Sequence, residues 1–83
     1  MYGIIFRNPA KRFLKNLDSR DQKEILNKIE KLKYSPELGK PLVGNLSGLW
    51  KLRYDQYRII YQIKKQELII VVLDIGHRKN VYD

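Results

Sequence analysis

Apolar and polar residues alternate with period two from Leu49 to Ile63, with one polar break at Asp55-Gln56. Alternation of that kind, rich in β-branched and aromatic residues, predicts a β-hairpin. A two-residue turn at Asp55 and Gln56 sets Tyr54 opposite Tyr57, Arg53 opposite Arg58, Leu52 opposite Ile59 and Trp50 opposite Tyr61. One face then carries Trp50, Leu52, Ile59, Tyr61 and Ile63, a set suited to a core. The other carries Lys51, Arg53, Arg58 and Gln62, with Ile60 among them. Like charges directly opposed on a sheet destabilise it. Either the long side chains splay into water, or the face is built to hold an anion.

The remaining pattern predicts a small α+β domain. Tyr2 to Arg7 reads as a strand, with Tyr2, Ile4 and Phe6 on one face and Ile5 on the other. Asn8 is a helix cap and Pro9 suits a first turn. Ala10, Phe13, Leu14 and Leu17 then form an amphipathic stripe. Asp18-Ser19 breaks this helix, and Ser19 to Gln22 has the spacing of a capping box. A second helix runs to about Tyr34 and buries Ile25, Leu26, Ile29 and Leu32, so the two form an αα-hairpin.

Residues 35 to 48 hold Pro36, Gly39, Pro41, Gly44 and Gly48 and read as an irregular connection tacked down by Leu38, Leu42, Val43 and Leu46. After the central hairpin, Glu67 to Ile75 is apolar on both faces, which places it inside a sheet. The expected architecture is an N-terminal strand, an αα-hairpin, and a three-stranded antiparallel meander completing a small sheet with helices on one face. Residues 1–83 make one domain.

Composition narrows the partners. Seventeen basic against nine acidic residues leave a net charge of +8. Such a field favours a polyanion, either nucleic acid or an acidic protein segment, although a lysine-rich solvated surface produces the same number. Cysteine is absent, which removes disulfides and thiolate metal sites and fits a cytoplasmic setting. No run approaches a membrane span, and the first residues read as strand rather than signal peptide.

Carboxylates are scattered and His77 is the sole histidine, so neither a metal site nor a nucleophile triad is expected, and no cofactor is implied. What remains is a cationic constellation: Lys51, Arg53, Arg58, His77, Arg78 and Tyr82. Phosphoryl transfer asks chiefly for positioning and positive charge. RNA cleavage asks less still, because the 2′-hydroxyl is a built-in nucleophile. Trp50, Tyr57 and Tyr61 read as core, with Tyr57 the best placed of them to stack on a base.

The ordered set LWKLR-x3-YRIIY-x-I, an apolar strand and GHRKNVY resembles the RelE/ParE superfamily of toxins from prokaryotic toxin–antitoxin pairs, over essentially the whole chain. YRIIY and HRKNVY look more like the RelE branch, whose members cut mRNA in the ribosomal A site, than the ParE branch, which poisons DNA gyrase. The resemblance implies a cytoplasmic mRNA endonuclease that works on the ribosome, with a cognate antitoxin as hetero-oligomeric partner. It also implies roles. Lys51 binds phosphate or assists proton transfer, Arg58 steadies the scissile phosphate, Arg78 helps the leaving oxygen, and Tyr82 lies near the attacking hydroxyl. Arg53, His77 and Lys79 contact RNA. Leu49 departs from the pattern, standing where some relatives carry another lysine. A gyrase inhibitor and an inactive basic interaction domain are the alternatives.

Overall fold

The computed structural model describes residues 1–78. Its elements follow the expected order. They are β1 (Gly3–Phe6), α1 (Asn8–Lys15), α2 (Ser19–Glu30), a two-residue β2 (Lys40–Pro41), β3 (Leu49–Tyr54), β4 (Tyr57–Lys64) and β5 (Ile69–His77). The sheet order is β1-β5-β4-β3-β2, so the apolar β5 has a neighbour on each side. β1 runs parallel to β5 and the other pairs are antiparallel.

Both helices pack on one sheet face. Ala10, Leu14, Ile25, Ile29 and Leu32 from the helical layer meet Leu52, Tyr57, Ile59, Tyr61, Ile70, Val72 and Ile75 from the strands. Ile4 and Phe6 add to this core from β1, whereas Ile5 is exposed on the opposite side. Burial of these side chains supplies the main driving force for the fold.

Four local expectations are corrected. Arg7, not Asn8, occupies the N-cap of α1, because its carbonyl already accepts from the Lys11 N–H at 3.0 Å. The cap of α2 is Asp18, whose carboxylate accepts from the Asp21 N–H at 2.8 Å. The Ser19–Gln22 capping box does not form: Gln22 Nε2 instead donates to the Leu14 carbonyl at 2.8 Å, satisfying the end of α1. Leu26 is 40% exposed, lying beside the β1 edge rather than over the sheet. Finally, β5 begins at Ile69, since Leu68 has a left-handed φ of 56° that no strand residue adopts.

Candidate functional site

The central hairpin sets the register of the site. Asp55 adopts φ 54° in the turn, a conformation that aspartate tolerates, and Tyr54 pairs with Tyr57. Arg53 then faces Arg58, and Lys51 faces Ile60. All of these except the tyrosine pair lie on the sheet face turned away from the helices.

The connection before the hairpin, expected as irregular, contains a two-residue strand that adds a cation. Lys40 pairs with Lys51 through β2, so two adjacent rows of this face each oppose like charges. Tyr61 makes that placement possible. From the core it donates its hydroxyl proton to the Pro36 carbonyl at 2.7 Å and accepts from the Gly39 N–H at 3.1 Å. Gly39 lies so close to β3 that a Cβ there would meet the Lys51 carbonyl oxygen at 2.5 Å. Only glycine fits this approach.

Arg58 is not the exposed sheet residue that alternation suggests. It is 1% exposed, and its Nη1 donates to the His77 carbonyl at 2.5 Å. Its guanidinium lies over Gly76, where an added Cβ would sit 3.5 Å from Nη2. Arg78 is held by the same end of the hairpin. Its N–H donates to the Gln56 carbonyl at 2.9 Å, and its Nη1 to the Asp55 carbonyl at 3.2 Å. Lys40, Lys51, Arg53, Arg58 and Arg78 thus form a cationic tract from the β2 edge to the hairpin tip.

His77 is not brought to this face. A bulge between Ile60 and Tyr61 leaves Leu73 without an opposite residue, and this inverts the facing of the rest of β5. His77 therefore pairs with Tyr57 on the helix side, its ring 5.4 Å from that of Tyr57 and 5.8 Å from that of Phe13. What it offers the basic face is its carbonyl, which accepts from Arg58. Lys79 and Tyr82 lie outside the described residues.

The tyrosines on the helix side are structural. Tyr57 donates to the Asp21 carboxylate at 2.8 Å, and Tyr54 donates to Glu24, so two carboxylates of α2 clamp the hairpin tip. Gln56 pulls the Tyr57 hydroxyl down, but its bond to Asp21 and its burial outweigh that and hold its pKa above the ordinary tyrosine value. Burial pushes Tyr61 up, opposed in part by the Gly39 N–H. Both remain protonated near neutral pH, so neither offers a phenolate base. Among the described residues no three His, Cys, Asp or Glu side chains are grouped to hold a metal ion. No helix among them is long and apolar enough to cross a membrane.

A family described as the ParE toxin of the type II toxin-antitoxin system, parDE, matches residues 4–82. The toxin RelG of Mycobacterium tuberculosis is 30% identical over 83 residues, covering 98% of this chain and 95% of its own. Among solved structures, a chain of the M. tuberculosis toxin-antitoxin complex RelBE2 superposes with a TM-score of 0.85 at 30% identity, covering 93% of this chain and 98% of that one. The isolated Escherichia coli RelE toxin shares the fold, with a TM-score of 0.80 at 18% identity over 98% of this chain and 88% of its own.

Proposed function

The chain belongs to the RelE/ParE superfamily of toxins from type II toxin–antitoxin systems, and on that premise we propose that it is an endoribonuclease that cuts mRNA on the ribosome and so stops translation. The observation that carries this reading is the double row of opposed cations, Lys40 with Lys51 and Arg53 with Arg58, on one face of the sheet. A face selected for stability alone would place an anion in at least one of those positions.

The chemistry is in-line transesterification. The 2′-oxygen of the RNA attacks the adjacent phosphorus while the bond from phosphorus to the 5′-oxygen of the next nucleotide breaks. The 2′-hydroxyl proton passes to a base, and the departing oxygen gains one. The products are a 2′,3′-cyclic phosphate and a 5′-hydroxyl. Arg58, buried beneath this face and held by the His77 carbonyl, supplies a fixed positive charge under the phosphate as negative charge accumulates there. Lys51 assists at the phosphate or in proton transfer, Arg53 holds the RNA backbone, and Arg78 stabilises the leaving oxygen. Tyr82, near the attacking hydroxyl, and Lys79 complete the set. This scheme asks nothing of a bound cofactor.

The second expected partner is a cognate antitoxin, since the RelBE2 neighbour was solved as a toxin–antitoxin complex. The ParE description of the matching family favours a second reading, inhibition of DNA gyrase. Primer extension on cellular mRNA after induced expression, beside a supercoiling assay with purified gyrase, separates the two. Cuts within translated codons and unimpaired gyrase support the nuclease. Intact mRNA with blocked supercoiling overturns it.

A further inference from the structure

A groove of about 450 Å³ runs along the β2 edge, between α2 and β3. That is within the range of small-ligand sites, roughly 300–1,000 Å³. Four cations line it: Lys28 from α2, Lys40 from β2, and Lys51 and Arg53 from β3. Among the described residues its lining contains no carboxylate, and Leu38 and Leu42 supply an apolar surface. The wall is preformed, because the Tyr61 hydroxyl holds both Pro36 and Gly39 and Gly39 seats the loop against the Lys51 carbonyl.

We propose that this groove is an RNA subsite that takes the nucleotide next to the cut, its phosphate among Lys28 and Lys40 and its base on Leu38 and Leu42. The identity of the strand rests on the nuclease reading. Lys51 and Arg53 belong both to the groove and to the cationic face, so a strand lying on that face reaches the groove without leaving positive surface. Lys28 gives this inference its content: it comes from the helix side and extends the basic surface around the sheet edge. A cationic groove with an apolar wall suits a nucleotide, which has an anionic end and a flat apolar base.

The test measures fluorescence anisotropy of the full chain with a single-stranded 2′-O-methyl RNA, which cannot be cut, across a range of KCl concentrations. Each phosphate contact contributes about 0.7 to the slope of log affinity against log salt for a single strand. Lys28→Ala with Lys40→Ala removes one phosphate contact and is expected to weaken binding roughly tenfold at low salt and to flatten the slope by about 0.7. The arginine pair Lys28→Arg with Lys40→Arg restores both. The charge-matched control Lys11→Ala with Lys15→Ala, on α1, is expected to change the slope by less than half as much. Equal effects from the two alanine pairs overturn the subsite, since net charge alone then accounts for them. So does unaltered RNA binding with weakened binding of a poly-glutamate peptide, which assigns the groove to an acidic protein. Because binding is read without cleavage, the two proposals fail separately. RNA held through Lys28 and Lys40 by a protein that never cuts sinks only the nuclease. Normal cutting and normal RNA binding by the alanine pair sink only the groove.

Discussion

Arg53 and Arg58 stand directly opposite one another on β3 and β4, yet Arg53 is exposed and Arg58 is 1% exposed with a backbone carbonyl bound to its guanidinium. Two residues of one type, on one face and in one row, therefore have different physical roles. The exposed one carries its charge at the surface. The buried one is a guanidinium fixed in place by the His77 carbonyl.

Arg58→Ala is accordingly expected to lose cleavage and also to destabilise the fold by about 1–3 kcal/mol, since a buried side chain and its charge-assisted bond to the His77 carbonyl are both lost. Arg58→Lys keeps the charge but not the planar fork and should restore little activity. Lys40→Ala, on an exposed edge strand, should change stability by less than about 0.5 kcal/mol. Thermal melts by circular dichroism, run beside the cleavage assay, check this. An unchanged melt for Arg58→Ala contradicts it.

The Tyr57–Asp21 bond makes the fold sensitive to alkali. The folded pKa of Tyr57 lies above its ordinary value of 10.0, so the neutral hydroxyl is the form that stabilises the native state. That contribution is fully present below about pH 10 and is lost as pH rises through the folded value. Tyr57→Phe should cost about 1 kcal/mol at neutral pH and reduce the alkaline loss. Urea denaturation at a series of pH values reads both. An unaltered alkaline slope counts against the clamp.

Gly39→Ala places a methyl group 2.5 Å from the Lys51 carbonyl oxygen and 2.9 Å from the Tyr61 hydroxyl. Neither can retreat readily, one being backbone and the other the bonded end of a buried ring. A loss of about 1–3 kcal/mol is expected, as for overpacking in a core. Tyr61→Phe, which leaves the space intact, should cost about 1 kcal/mol. Equal melting temperatures for Gly39→Ala and the parent rule out the close approach.

The hairpin register, the order of elements and the shared face of Lys51, Arg53 and Arg58 were legible in the sequence, because two-residue alternation across a two-residue turn leaves few other pairings. Burial of Arg58 was not, since alternation tells which face a residue takes but not how deep that face is. His77 was placed with the basic cluster by proximity in sequence. The bulge at Leu73 turns it to the other face, and nothing in an unbroken apolar run marks which residue will bulge. Lys40 was missed for a different reason. A two-residue edge strand carries no periodicity, and the only hint was a proline, which edge strands tolerate. The clamp of Asp21 on Tyr57 joins residues far apart in the chain, beyond any local pattern.

Electrostatics should also govern encounter with the antitoxin. At a net charge of +8, association with a partner carrying an acidic segment should slow as ionic strength rises, while dissociation changes less. Stopped-flow rates across a salt series test this. A flat association rate would show the contact to be chiefly apolar.

The central claim is that the RNA supplies its own nucleophile to a cationic face organised around Arg58. Its most direct measurement uses ribosome-bound mRNA with one 2′-deoxy nucleotide immediately before the scissile bond in the A-site codon. Cutting at that bond is expected to vanish, while the all-ribose control yields a 2′,3′-cyclic phosphate or the 3′-phosphate derived from it. Continued cutting of the deoxy-substituted bond would mean that water is the nucleophile, and the roles assigned to Lys51, Arg58, Arg78 and Tyr82 would fall with it.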